Sequence, residues 1–271
     1  MRMLLTSLAI LVAVHADACE NVEGLLEQAY PRATIRAGEL MVSGQYEQRI
    51  LPEEVACKAW PYKPELTLIA VPLIEAQPVD DGEDRGDVEV IVADTKTGKP
   101  LARRLEQGMA YGDAIRFGGV SMDTARYDIR AGERAFGVVT AQHGSSRVNP
   151  YSERALWLYN FTGGEITRVL DGLVVEKLSG ENDGNCEGIA VETKRTVAIG
   201  QGGNEGYRDL DIEQTEMITT TTEAGNDCQS TEKPGDAPKR LLLRFSDGRY
   251  RSADVAADDG LFSFIEIADA P

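Results

Sequence analysis

The chain has 271 residues and a formal net charge of −17 at pH 7, from 45 acidic and 28 basic side chains. A chain this acidic repels phosphate backbones and anionic membrane surfaces, so nucleic acid and lipid headgroups are not expected partners. A basic protein or a divalent cation is the favoured kind of partner, although an acidic surface also serves solubility alone.

The first residues have the form of an export signal. Arg2 provides a positive start, roughly 12 mostly apolar residues follow, and Ala16-Asp17-Ala18 has the small-x-small form that signal peptidase recognises. The apolar run is shorter than the ~20 residues of a membrane-spanning helix. We therefore expect a signal peptide over residues 1–18, a single β-domain over residues 19–271, no transmembrane segment, and a periplasmic or secreted location. The alternative is a buried N-terminal helix.

Four cysteines follow the predicted cleavage region: Cys19, Cys57, Cys186 and Cys228. An even number in an exported chain indicates two disulfides. Pairing between sequence neighbours, Cys19 with Cys57 and Cys186 with Cys228, is favoured, although the sequence allows three connectivities. Each closed loop of roughly 40 residues would contribute about 3–4 kcal/mol in the chain-entropy model. Lipidation of Cys19 is disfavoured, because Asp17 stands where a lipidation box has a small uncharged residue.

The predicted elements begin with one short helix over residues 20–30. Its apolar face consists of Val22, Leu25, Leu26 and Ala29, and Pro31 ends it. Beyond this helix, short alternating or aliphatic runs are separated by Gly, Asp and Asn. That pattern predicts an all-β fold.

One unit of strand, polar loop and hairpin recurs three times. The predicted strands are 66–71, 136–141 and 209–212, and the polar loops are 77–87, 142–154 and 215–240. The hairpins turn at Gly98, at Gly163-Gly164 and at Gly248. Repetition of such a unit favours a propeller-like fold of repeated antiparallel hairpins. An irregular β-sandwich is the alternative, because glycine turns are common in any β-protein.

A calcium loop is predicted at residues 183–188. Asp183, Asn185 and Glu187 place oxygen ligands at alternate positions, and Gly188 follows them. The twelfth position of the loop is Lys194, where a bidentate Glu is usual, so a structural Ca²⁺ would have to be held without it. The alternative is a turn pinned by a disulfide. The acidic segment 80–84 is a second, weaker calcium candidate.

Two loops carry the predicted partner-binding residues. The glycine-rich loop 200–207 ends in an aromatic residue, and loop 142–151 combines basic and aromatic side chains. The residues chosen are Asn204, Glu205 and Tyr207 from the first loop, and His143, Arg147 and Tyr151 from the second. For the first loop, the alternative is a hairpin connection whose tyrosine packs on the sheet. His143 is the only histidine beyond the predicted signal, and no nucleophile motif accompanies it.

The C-terminal third resembles a known class of repeats. Gly206-Tyr207-Arg208-Asp209-Leu210 resembles the Gly-aromatic-x-Asp-Leu strand opening of FG-GAP-type propeller repeats, without their alternating aspartates. Phe245-Ser246-Asp247-Gly248-Arg249-Tyr250 resembles a hairpin of exported bacterial propeller-like proteins. Some of those proteins are calcium-bearing periplasmic immunity proteins that inhibit peptidoglycan-cleaving effectors. The resemblance implies the same class of function, and no inhibitory residue is carried over.

These observations favour an exported, non-enzymatic binding protein. Its most specific form is a periplasmic inhibitor, or immunity protein, against a basic lysozyme-like peptidoglycan hydrolase. Two alternatives remain: an envelope structural or assembly factor, which would show a large apolar patch, and a hydrolase that uses a carboxylate pair in a deep cleft.

Overall fold

The computed structural model describes residues 18–44, 46–77, 85–225, 227–253, 260–265 and 267. Nearly all of the predicted signal peptide and the whole acidic segment 80–84 lie outside the described residues. Within these ranges, no helix is long and apolar enough to cross a membrane.

The predicted N-terminal helix is confirmed. A 3-10 helix (Ala18–Asn21) leads into helix α1 (Val22–Ala29). The Asn21 side chain accepts a hydrogen bond of 2.9 Å from the backbone N–H of Gly24, which satisfies one of the unpaired donors at the helix start. Leu25, Leu26 and Ala29 are buried, so the apolar face read from the sequence does face the core.

All sheet pairs in the described chain are antiparallel, and they form two sheets. The first sheet has seven strands in the order β1-β2-β3-β5-β6-β7, with β4 paired to β5. These strands are β1 (Thr34–Arg36), β2 (Glu39–Ser43), β3 (Glu47–Ile50), β4 (Ala56–Ala59), β5 (Leu66–Glu75), β6 (Gly86–Asp94) and β7 (Pro100–Glu106).

The second sheet has nine strands in the order β16-β15-β13-β12-β11-β10-β9-β8, with β14 paired to β13. These strands are β8 (Ile115–Arg130), β9 (Glu133–Gly144), β10 (Tyr151–Thr162), β11 (Glu165–Asn182), β12 (Gly188–Asn204), β13 (Tyr207–Ala224), β14 (Asp227–Pro234), β15 (Lys239–Ser246) and β16 (Arg249–Ser252).

Three apolar clusters stack these elements in layers. Helix α1 covers one face of the first sheet, where Leu26 packs with Ile69 and Ile91. The opposite face of that sheet packs on β9 and β10 through a cluster that includes Leu68 and Trp157. Strand β5 is therefore buried on both faces, which explains its unbroken apolar sequence.

The third cluster lies within the second sheet, whose later strands fold back over its earlier ones. Leu156 of β10 and Leu173 of β11 share this cluster with Leu210 of β13 and Leu243 of β15. The sheet therefore supplies two layers of the molecule by itself.

Both disulfides predicted from sequence neighbours are confirmed. The S–S distances are 2.03 Å for Cys19–Cys57 and 1.95 Å for Cys186–Cys228. The first joins the N-terminal helical segment to β4, and the second joins the β11–β12 turn to β14. Two disulfides fit an extracellular or periplasmic location.

The all-β class is confirmed, but no propeller is found in the described residues. The three hairpins that looked like repeats belong to different sheets: β6–β7 lies in the first, whereas β10–β11 and β15–β16 lie in the second. A propeller blade would be a separate small sheet, whereas here the later hairpins join one sheet of nine strands. The alternative prediction, an irregular β-sandwich, is the nearer description.

Two predicted loops are also wrong. Residues 215–240 are mostly strand, because β13 continues to Ala224 and β14 follows it. The run Thr219–Thr222 is β-branched and continues the strand rather than interrupting it. The predicted loop 142–154 is shorter in the structure and comprises residues 145–150, because β9 ends at Gly144 and β10 begins at Tyr151.

Candidate binding site

Part of the second sheet extends beyond the apolar core. We call residues 176–194 and 215–234 the arm; they comprise the end of β11, the start of β12, the end of β13, and β14. None of the described residues in the arm is buried, so both of its faces meet solvent. β-branched side chains, including Val191, Ile218 and the Thr219–Thr222 run, give these strands their propensity to form a sheet.

Three turns meet at the outer end of the arm. We call this end the tip and define it by the described residues within 143–151, 181–189 and 223–228. The Asn182 backbone N–H donates to the Val148 carbonyl at 2.8 Å, and its side-chain Nδ2 donates to the Arg147 carbonyl at 2.6 Å. The Glu223 N–H donates to Oε1 of Glu187 at 3.3 Å. With the disulfide Cys186–Cys228, these bonds hold the three turns together.

The tip is strongly acidic. Its exposed acidic side chains are Glu181, Asp183, Glu187, Glu223 and Asp227, and among its described residues the only Lys or Arg is Arg147. Two apolar side chains lie among them, Val148 with 41% of its surface exposed and Ile189 with 51%. The tip therefore combines negative charge with two exposed aliphatic groups.

The predicted calcium residues lie in the tip and are engaged by the protein itself. Oδ1 of Asp183 accepts backbone N–H bonds from Asn185 at 2.8 Å and Glu187 at 3.1 Å. The hydrogen bond from Asn185 is the main reason that the pKa of Asp183 is lowered. Among the described residues, no group of three or more His, Cys, Asp or Glu side chains is arranged to hold a metal. Calcium at Asp183, Asn185 and Glu187 stays a prediction.

One set of predicted binding residues lies in the tip. His143 and Arg147 are exposed, whereas Tyr151 is half-buried. The Tyr151 hydroxyl donates to Oε2 of Glu153 at 2.7 Å, and the Lys177 ammonium lies 5.7 Å from the centre of its ring. Burial is the main cause that raises the pKa of Tyr151. These contacts within the protein hold the tyrosine in place.

The other set lies at the far end of the same strands. Asn204, Glu205 and Tyr207 form the turn end of the β12–β13 hairpin, and Asn204 lies at the opposite end of β12 from the tip residues Gly188 and Ile189. At about 3.3 Å per residue, this separation is roughly 50 Å. The structure therefore does not bring the two predicted sets into one site.

The far set also differs from the flexible loop that its glycines predicted. Residues 200–204 belong to β12, and only Glu205 and Gly206 form the turn. The Tyr207 ring stacks on Phe245 with a centroid distance of 3.6 Å, and the Arg130 guanidinium lies 4.8 Å from its centre. The Asn204 side chain donates to the Phe245 carbonyl at 2.8 Å. Both ring faces of Tyr207 are thus engaged within the protein.

For a hydrolase, the relevant feature would be an acid with a raised pKa in a cleft. Asp94, Asp128 and Asp183 have lowered pKa values, caused chiefly by hydrogen bonds from Thr97, Arg134 and Asn185 respectively. A groove of about 550 Å³ lies beside β8 and is lined in part by Glu53, Glu54 and Arg154. Those two glutamates are the carboxylates that a hydrolase alternative would have to use there.

Sequence reasoning missed five residues of the tip: Val148, Glu181, Ile189, Glu223 and Asp227. Their proximity depends on pairing between strands that are distant in sequence, and Glu223 and Asp227 fell in a segment predicted as loop. The disulfide prediction was the one available signal, because it already joined the turn at Cys186 to Cys228.

No protein-family model matches the chain, and comparison with curated proteins and with solved structures finds no match. The resemblance to FG-GAP-type repeats therefore rests on its own short motifs, and the functional argument rests on the geometry of the tip.

Proposed function

We propose that this chain is an exported, non-enzymatic binding protein whose tip binds a basic protein partner. The most specific form of the proposal is a periplasmic inhibitor, or immunity protein, that protects the cell from a lysozyme-like, peptidoglycan-cleaving effector. The two disulfides support an oxidising compartment.

The convergence of three turns at the tip is the observation that carries the proposal. Loops held by a rigid scaffold are where binding residues concentrate, and here the scaffold is a four-stranded arm closed by Cys186–Cys228. The fixed turns lower the entropy lost on binding.

The negative charge of the tip indicates that the partner surface is positively charged. Five exposed acidic side chains at the tip, against one arginine, produce a negative potential that attracts a cationic surface. Such complementarity raises the association rate more than the final affinity, and salt weakens it. The most specific form of the proposal also draws on the short C-terminal sequence motifs that resemble exported immunity proteins, although these motifs form no propeller blade among the described residues.

The test is calorimetric titration of the chain into a panel of basic lysozyme-like hydrolases, together with peptidoglycan cleavage assays. The double variant Glu181→Lys/Glu223→Lys reverses charge at the tip. Its matched control, Glu23→Lys/Glu27→Lys, makes the same change in net charge on exposed positions of α1. We expect the tip variant to weaken binding and inhibition by about tenfold or more and the control to change them little.

Equal losses in the two double variants would show that only net charge matters and would remove the tip from the site. Absence of both binding and inhibition across the panel would shift weight to an envelope assembly factor or to a carboxylate-dependent hydrolase. Thermal unfolding with calcium and then with chelator tests the structural Ca²⁺, because an ion that binds only the folded chain raises the melting temperature as its free concentration increases.

A further inference from the structure

Strand β14 presents a long uncovered edge. It pairs with β13 on one side, and no described strand pairs with its other side. All eight of its residues are exposed. An open edge of this kind offers a row of backbone N–H and C=O groups to another strand, and proteins usually cover it, shorten it or charge it.

The other sheet edges in the described chain are shorter or less exposed. Strands β1, β4 and β16 have three, four and four residues, respectively. Strands β7 and β8 mix exposed residues with half-buried and buried ones, whereas every residue of β14 is exposed. β14 is therefore the edge most open to another strand.

We propose that β14 pairs with β14 of a second copy of this chain, antiparallel and centred on Ser230. A two-fold axis at Ser230 places Asp227 opposite Lys233 of the other copy, and does so twice. The remaining opposed pairs are Cys228 with Glu232 and Gln229 with Thr231, which bring no like charges together. The edge is thus complementary to itself, which a two-fold interface requires.

The opposed charges specify this register. Opposed residues in an antiparallel pair turn their backbone groups either both toward the neighbouring strand or both away from it, so the centre can move only by whole residues. Centres on Gln229 and Thr231 place Asp227 opposite Thr231 and Gly235, respectively, and lose both ion pairs. No hydrogen bond or ion pair joins the Asp227 or Lys233 side chain to another described residue, so both are available.

Contacts within the arm also fix the position of β14. Cys228 fixes the start of β14 to the β11–β12 turn, and eight register pairs hold the strand against β13. Pairing two copies would join two arms into one continuous sheet, with each tip beside the base of the other arm. This inference does not depend on the proposed function of the tip.

The test is the oligomeric state of the full chain, measured by sedimentation over a range of concentrations and salt. We expect a reversible dimer whose dissociation constant rises by about tenfold or more in either Asp227→Lys or Lys233→Asp, because each variant places like charges opposite one another twice. Thermal unfolding of each variant checks that the exposed substitution leaves the fold intact.

Mixing the two variants gives the decisive result. A D227K chain and a K233D chain regain opposite charges at both positions, and their combined net charge equals that of two wild-type chains. We expect a heterodimer with near wild-type affinity. A wild-type chain that stays monomeric at the highest concentrations overturns the proposal, as do variants that dimerise unchanged or a mixture that fails to associate.

Discussion

Glu106 is a fully buried carboxylate at the junction of the two sheets. Its side chain has no exposed surface, and it pairs with Arg168 of β11, itself 3% exposed, and with Arg104 at 2.6 Å. Arg168 also pairs with Asp171 at 2.5 Å. Burial has removed the water that would otherwise solvate these charges. Removing one charge therefore leaves its partner buried and unpaired.

Replacing Glu106 by Gln would leave two arginines beside a neutral amide. We expect this variant to lose about 3–5 kcal/mol of unfolding free energy, the usual effect of breaking a buried ion pair from one side. Urea denaturation provides the measurement.

The matched control is Glu47→Gln, whose pair with Arg36 is exposed at 38% and 65% of the two side chains. An exposed pair contributes under ~1 kcal/mol. Equal losses in the two variants would mean that the buried network does not stabilise the junction.

At the scale of single elements, the bend in β11 depends on one glycine. Gly172 has a φ of +59°, and a Cβ there would lie 2.7 Å from the buried ring of Trp157. The register of β10 and β11 shifts nearby, so this strand turns sharply while it remains paired.

Gly172→Ala should therefore be strongly destabilising. Left-handed backbone costs about 1–3 kcal/mol for a non-glycine residue, and overpacking of the ring adds about 1–3 kcal/mol. Gly163→Ala is the control, because Gly163 also has a positive φ, +64°, but no atom lies within 4 Å of its Cβ position. The difference between their denaturation midpoints isolates the contact with Trp157, and a difference near zero would contradict it.

The glycines also show what a sequence can predict about an element. Gly163-Gly164 between two apolar runs marks a hairpin turn, and the structure confirms it, because local turn chemistry decides such a feature. Gly172 carries no such signal, since its role depends on Trp157 of the neighbouring strand. The turn at residues 183–187 could be tied to Cys228 from the cysteines alone, whereas its contact with Arg147 and Val148 depends on strand pairing.

For the whole molecule, the strand content and both disulfides follow from the sequence, but the assignment of hairpins to sheets does not. Leu156 meets Leu210 only because the second sheet folds back on itself. No local pattern distinguishes that arrangement from repeated blades, because either would bury the same apolar faces.

Several tyrosines share one property across the molecule. Burial is the main cause that raises the pKa of five of them above the ordinary value of 10.0: Tyr30, Tyr127, Tyr151, Tyr159 and Tyr250. A folded-state pKa above the unfolded value means that ionisation favours the unfolded chain. The stability linked to these phenols is complete below pH 10.0 and is lost as the pH rises beyond it.

Alkaline titration followed by phenolate absorbance should show this directly. We expect at least five of the nine tyrosines to ionise only as the chain unfolds, whereas in denaturant all nine should titrate near their ordinary pKa. Reversible ionisation of all nine tyrosines below the pH at which the chain unfolds, with the fold intact by circular dichroism, would contradict the burial of these rings.

The β12–β13 hairpin links the core to the tip in one further way. Its register runs without a shift from the pair of half-buried Ile199 and buried Leu210 to the pair Gly188–Thr221 at the tip. A slip of one residue would turn every side chain of a strand to the opposite face. The apolar core therefore sets the strand register of the arm. A core substitution that shifted the β12–β13 register at Leu210 would change which side chains are exposed at the tip, although no tip residue would be replaced.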